Sequence, residues 1–167
     1  MKTYSLLIIT ILLCLVHAAC KKDSAPGING VNAKKDNVDW KSSSVSTGFK
    51  PLATKDTLFI FGKSGEENII ITLVQKGKGT YTANEIKANF YATIGSDVLL
   101  GSYHLADVPN NKVVITDYDE NSHTLKGSFN LVFKRTHGES VPDTLRFTDG
   151  KINTQLTAQY LDPYRGF

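Results

Sequence analysis

From Thr124 to Lys134 the chain alternates apolar and polar residues with a period of two. Leu125, Gly127, Phe129, Leu131 and Phe133 fall on one face. Thr124, Lys126, Ser128, Asn130 and Lys134 fall on the other, and only Val132 breaks the polar row. Successive side chains of a strand point to opposite faces, so this is the pattern of an antiparallel strand buried on one side and wetted on the other. Lys87 to Ile94 repeats it, with Ala88, Phe90, Ala92 and Ile94 opposite Lys87, Asn89, Tyr91 and Thr93. Leu145 and Phe147 alternate with Thr144, Arg146 and Thr148, and Ile152 and Leu156 continue the series. Leu58 to Phe61 and Ile69 to Val74 are apolar on both faces, which predicts central strands covered on both sides or only partly exposed.

Turn chemistry separates these runs at 62–65, 76–79, 109–111, 117–121 and 149–150. Asp149-Gly150 carries the strongest two-residue hairpin signal in the chain. No helical period lasts longer than a turn. The expected fold class is therefore all-β, a single antiparallel β-sandwich or flattened β-barrel of about eight to ten strands.

The first twenty residues have a different character. Lys2 precedes a near-continuous apolar run from Leu6 to Val16, and Ala18-Ala19 lead into Cys20. That run is shorter than the ~20 residues a spanning helix needs, and suits an export signal. Small residues directly before a cysteine resemble the bacterial lipobox, although His17 stands where a leucine is usual. Residues 1–19 are thus expected to be a lipoprotein signal peptide, with Cys20 the lipid-bearing first residue of the mature chain. Cys14, the other cysteine, leaves with the leader, so Cys20 has no partner for an internal disulfide. Each buried methylene of an acyl chain contributes about 0.8 kcal/mol, and several chains together anchor stably.

Residues 20–37 are polar, carry Pro26, Gly27 and Gly30, and read as a flexible tether. The β domain is expected over 38–160, with 161–167 as a C-terminal tail. The full chain carries a net +3, and the loss of Lys2 leaves the mature chain at +2. That charge is too weak to argue for nucleic acid, where a clustered basic face is the expectation, and no run of like charges exceeds two residues, so no such partner is expected.

Candidate chemistry is sparse. Asp117 to Asn121 begins like a calcium loop, but Ser122 and Ser128 stand where the pattern needs Gly and a bidentate Glu. Gly62-Lys63-Ser64 lacks the upstream Gly of a phosphate loop, Thr57 standing in its place, and leads into a strand rather than a helix. His104, His123 and His137 have no metal-type spacing. No nucleophile elbow occurs, and the carboxylates Asp97, Asp107, Glu139 and Asp143 are scattered. The expectation is no metal, no cofactor and no catalytic residue. Trp40 reads as a core anchor. Tyr81, Tyr91, Tyr103 and Tyr118 serve either cross-strand packing or a sugar or lipid pocket.

The region from Val38 to Tyr160 resembles a family of small Bacteroidota lipoproteins carried as a domain of unknown function. The likeness rests on an ordered set: Asn37-Val38-Asp39-Trp40, the strand pair near Leu58–Phe61 and Ile69–Leu73, and Gly79-Thr80-Tyr81. Val113 to Asp119 followed by Leu125-Lys126-Gly127-Ser128-Phe129-Asn130 resembles the family's central stretch. Leu145 to Ile152 resembles its closing one, with Ile152 in place of an aromatic. These are strand and turn positions, so the resemblance implies a fold and an address and transfers no site. Cys20-Lys21-Lys22-Asp23 is similar to lipoproteins of that phylum, which implies the cell envelope, and the outer membrane within it. Asp23-Ser24-Ala25, Asp56-Thr57-Leu58 and Asp143-Thr144-Leu145 resemble the phylum's O-glycosylation pattern, making Ser24, Thr57 and Thr144 candidate acceptors.

Together these readings describe a non-enzymatic envelope lipoprotein, held to the membrane by its anchor, that binds a ligand, a glycan or an envelope protein. The alternatives are a structural or accessory subunit of an outer-membrane assembly, or a hydrolase acting on envelope polymers. Replacing Cys20 with Ala should move the protein from the membrane fraction to the soluble fraction on cell fractionation; unchanged membrane partition would refute the anchor.

Overall fold

The computed structural model describes residues 30–156 except 53–54 and 120–121. Eleven strands follow one another in the order β1 (Gly30–Lys35), β2 (Val38–Lys41), β3 (Ser44–Leu52), β4 (Lys55–Ser64), β5 (Glu67–Val74), β6 (Gly79–Thr82), β7 (Ile86–Ile94), β8 (Val98–Leu105), β9 (Lys112–Asp119), β10 (Thr124–His137) and β11 (Thr144–Gln155). One 3-10 turn, Ala83–Glu85, joins β6 to β7. All pairings are antiparallel, and the strands form one curled sheet, a half-barrel, in the order β2-β1-β11-β10-β8-β7-β5-β4-β3. β9 pairs with β10 and carries β6 on its other edge.

The predicted alternation holds in β10: Leu125, Phe129, Leu131 and Phe133 are buried, while Lys126, Ser128, Asn130 and Lys134 are exposed. In β7, Ile86, Ala88 and Phe90 are buried, but Ile94 is exposed. The register between β7 and β8 slips after Ala92, so the strand tip leaves the core. β1 begins at Gly30, inside the polar stretch that reads as a tether from its Pro and Gly content. Val31 and Ala33 carry a short period-two signal there, and both face the core. The tether reading thus extends too far, because two small apolar residues are a weak pattern.

The expected Asp149-Gly150 hairpin is not a hairpin. Both residues lie inside β11, where two residues oppose one on either neighbour. Phe129 pairs with Gly150 and Leu131 with Phe147, while Asn32 pairs with Lys151 and Lys34 with Thr148. Asp149 takes up the left-handed conformation at φ 53° and donates its N–H to Asn130 Oδ1 at 3.2 Å. The bulge bends the strand and increases its local twist. The two-residue turn with both φ positive is instead Asp36-Asn37, between β1 and β2.

The sheet curls until its edges approach. After β2 leaves β1, Ser42 donates its N–H to Val31 O at 2.9 Å and Ser43 donates to Lys63 O at 2.7 Å. One bend therefore ties the β1 edge to the β4 edge. Further down the seam, Thr47 Oγ1 of β3 donates to Gln155 O of β11 at 2.7 Å. The concave side holds the core, including Leu58, Ile60, Ile69, Ile71, Phe90, Phe129, Phe133 and Phe147. Trp40 packs edge-on against Phe147 at 5.7 Å and lies over Gly62, where an added Cβ would come within 3.3 Å of its ring.

Phe129 lies flat on Gly150, and a Cβ there would meet the ring at 2.6 Å. Replacing Phe129 with Ala should cost about 3–5 kcal/mol in denaturant unfolding. Gly150→Ala should cost about 1–3 kcal/mol by overpacking. In the Phe129→Ala background that second cost should shrink; simple additivity would show that the ring is not what excludes a side chain at position 150.

Candidate functional site

The aromatic residues that suggested a pocket mostly fill the core. Phe147 meets Phe90 at a tilt with ring centroids 5.3 Å apart and Phe133 edge-on at 5.5 Å, and Phe90 meets Tyr103 edge-on at 5.8 Å. Burial pushes the Tyr103 hydroxyl above its ordinary pKa. Tyr81 is fully buried under the β6–β9 flap, donating its hydroxyl to Gly77 O at 2.7 Å and accepting from Lys76 N at 3.1 Å. Tyr91 and Tyr118 are half-buried. One mouth of the half-barrel is stoppered: Trp40 Nε1 donates to Glu67 Oε2 at 2.8 Å, Glu67 pairs with Lys35, and the Lys35 ammonium lies 5.5 Å over the Phe90 ring. With its indole N–H satisfied, Trp40 is a core residue and not a stacking platform.

The polar candidates are placed apart. Asp117 lies between Lys78 at 3.2 Å and Lys126 at 3.6 Å. Asp119 accepts from the Ser122 N–H at 3.3 Å and its hydroxyl at 2.8 Å. Asp117 is thus committed to two lysines and Asp119 to the turn. Among the described residues no three metal-ligating side chains cluster. His123 occupies a turn at φ 52°, His137 ends β10, and His104 lies one residue before the end of β8. Asp143 pairs with Arg135. His104 and Asp107 do share one feature, a shallow depression of about 360 Å3 lined also by Asn84, Lys87 and Asn89. Cys20 and Ser24 lie outside the described residues. Thr144 is half-buried at the start of β11, whereas the Thr57 hydroxyl is sealed from solvent inside the sheet, which removes it as an acceptor in the folded chain.

The strongest surface constellation contains Ile94, which the alternation pattern placed on the buried face. At the β7–β8 tip, Ile94 is 56 % exposed, Val98 58 %, Leu99 42 % and Leu100 39 %. Lone exposed apolar residues are ordinary, but four on one hairpin form a patch of the kind that marks a contact surface. The turn beneath them is held from outside its own hairpin. Glu66, in the β4–β5 turn, accepts Gly95 N–H at 3.0 Å, Ser96 N–H at 3.2 Å and the Thr93 hydroxyl at 3.1 Å. Its own carbonyl accepts Thr93 N–H at 3.0 Å. Gly95 and Ser96 have φ of 63° and 67°, a conformation that costs Ser96 energy unless something fixes it. Donation from the Ser96 N–H, with further bonds from Thr93 and Gly95, holds the Glu66 carboxyl below its ordinary pKa.

Strand register locates this tip. Val38, Glu67, Ile94, Val98 and Thr144 lie at one end of the half-barrel, and Val38 adds a further 68 % exposed apolar side chain there. Gly30 and Gln155 lie at the opposite end.

A family model described as a domain of unknown function, DUF6252, matches residues 29–154. The chain belongs to that family. No curated protein and no solved structure matches it. Within the DUF6252 region the stretches singled out in sequence prove to be fold positions. Gly127 passes so close to Val114 O that a Cβ would sit 2.5 Å from it, and Phe129 and Trp40 are core. Among the described residues of this DUF6252 chain no helix is long and apolar enough to cross a membrane.

Because the folded-state pKa of Glu66 is depressed, its grip on the turn is complete above the ordinary carboxylate value of 4.5 and is lost as pH falls through a lower midpoint. Backbone N–H shifts of Gly95 and Ser96 in NMR spectra should titrate below 4.5 and stay still in Glu66→Gln. A midpoint at the ordinary value would show that the carboxylate does not hold the turn.

Proposed function

We propose that this chain is a lipid-anchored envelope protein whose β domain binds a protein partner through the β7–β8 tip, without catalysis. The exposed apolar tip, fixed by Glu66, is the observation that carries this reading. Trp40, Tyr81 and Tyr103 are spent in the core, which argues against an aromatic-lined pocket for a sugar or lipid and favours a surface contact. A prepositioned turn loses little conformational freedom on docking, so its apolar area is converted to affinity with less entropic loss.

The leader pattern and Cys20 supply the anchor, and the resemblance to Bacteroidota lipoproteins supports the envelope, with the outer membrane the favoured site. Ser24 and Thr144 stay as candidate O-glycosylation acceptors. The tether enters at the Gly30 end, opposite the tip. Strands of eight to ten residues, such as β4 and β5, span about 25–35 Å, which sets the tip away from the anchored end and toward partners in the surrounding space.

The experiment is in-cell photocrosslinking from position 97 of the lipidated protein, with and without Val98→Ser and Leu99→Ser together. A specific crosslinked protein should appear with the native tip and fall at least about tenfold in the variant, matching a loss near 1.4 kcal/mol or more. Thermal melting should be unchanged. Equal crosslinking from both proteins would remove the tip from the binding surface.

A further inference from the structure

The outer face of the sheet changes character between β5 and β7. On β4 and β5 this convex face carries Phe59, Ile70, Thr57 and Asn68, all of them buried. The ladders continue the Ile70 row through Asn89 of β7 and His104 of β8 to Lys134 of β10, and they set Lys87 beside Thr72. From β7 onward the row is therefore polar. Opposed side chains on one face have Cβ atoms about 4.5–5.5 Å apart, so Asn89 and His104 are within reach of one small molecule. Asp107, just past β8, and Asn84, in the 3-10 turn before β7, complete the rim of the depression of about 360 Å3. Asn84, Lys87, His104 and Asp107 are exposed, and Asn89 is half-buried. Among the described residues, none of these five side chains is spent on a hydrogen bond or an ion pair.

Their backbones, by contrast, are held. Ala106 donates its N–H to Val132 O at 2.8 Å and accepts the Val108 N–H at 3.0 Å, so Asp107 sits between two fastened residues. Asn84 lies inside the capping box of Thr82 and Glu85, and Glu85 also pairs with Lys76. Lys87, Asn89 and His104 stand on paired strands. Polar groups on fixed backbone lose little freedom when they close on a ligand. We propose that this depression binds a carboxylate-bearing saccharide. Its volume falls within the range of small-molecule sites, about 300–1,000 Å3. Lys87 and the adjoining, exposed Lys134 outnumber the carboxylate of Asp107, which favours an anionic ligand with its carboxylate on Lys87. A sugar hydroxyl both donates and accepts, as do the carboxamides of Asn84 and Asn89, while Asp107 accepts and His104 adds a donor. One ring with several hydroxyls engages all of these groups together, which a bare anion does not, and Asp107 would repel a polyphosphate. The lining has no Trp, Tyr or Phe among the described residues, so recognition rests on hydrogen bonds and charge rather than on stacking. The depression flanks the Ile86 end of β7, away from Ile94 and Val98, so binding there is independent of the partner-binding reading of the β7–β8 tip.

The test titrates the isotope-labelled mature chain, carrying Cys20→Ala to keep it soluble, and follows backbone amides by NMR. The probes are galacturonate, glucuronate and N-acetylneuraminate, with galactose and glucose as neutral counterparts and acetate as the bare carboxylate. At least one acidic sugar should give saturable shifts at Lys87, Asn89, His104 and Asp107. Its affinity should exceed that of the neutral sugars and of acetate at least about tenfold. Lys87→Gln and Asp107→Asn should each weaken it at least about fivefold, with the melting temperature and the Gly95 and Ser96 shifts unchanged. Absence of saturable shifts with all three acidic sugars overturns the proposal. So does equal binding of acetate, which would make the depression a plain anion site, or equal binding of a neutral sugar, which would leave Lys87 without its role.

Discussion

The sheet depends on how β10 is shared. One edge of this strand runs along β11, while the other serves β9 up to Asn130 and β8 from Phe133 onward. At the changeover, the Val132 backbone groups face a gap between two diverging strands. Asn111 fills it: its Oδ1 accepts Val132 N–H at 2.7 Å, and its amide donates to Ala106 O at 2.5 Å. The Ala106 N–H in turn reaches Val132 O at 2.8 Å. A buried N–H left unpaired costs on the order of 1–3 kcal/mol, so a side-chain amide here completes what the ladder cannot. Because the fork is satisfied, β9 and β6 can fold over the core as a flap and bring Tyr81 inside.

The closed interior determines where function can reside. Trp40, Glu67 and Lys35 close one mouth and the aromatic cluster fills the space below, so the described residues leave chemistry to the outside of the half-barrel. The apolar tip, at the same end as that mouth, and the apolar convex face are two different demands on that outside. One is exposed and sits on a turn held by a carboxylate. The other is already buried, and its polar groups are enclosed with it.

The all-β class was legible because alternation in β10, β7 and β11 is strong and faces one continuous core. What escaped had physical reasons. Asp149-Gly150 has hairpin chemistry, but the left-handed residue serves a bulge, and Gly150 is required by the Phe129 ring lying on it rather than by a turn. The true two-residue turn, Asp36-Asn37, hid in a polar stretch whose flanking strands are short. Ile94 reads as a core position until the slip after Ala92 lifts the tip out, and register slips leave no mark in composition. Glu66 had no signal at all, since its partners Gly95 and Ser96 are nearly thirty residues away. Thr57 matched a short acceptor pattern, but its burial follows from strand pairing that a tripeptide does not encode.

The pairing of β1 with β11 joins the first described strand to the last. Asp36 exchanges backbone and side-chain hydrogen bonds with Arg146 across 110 residues of chain. Contacts of that separation demand that a long loop be closed before it is rewarded, which slows folding. A nascent chain therefore cannot complete this domain while its last strand is still inside the ribosome or an export channel. Under the proposed export of this chain the delay would be useful: the architecture postpones its own closure until the last strand has been delivered.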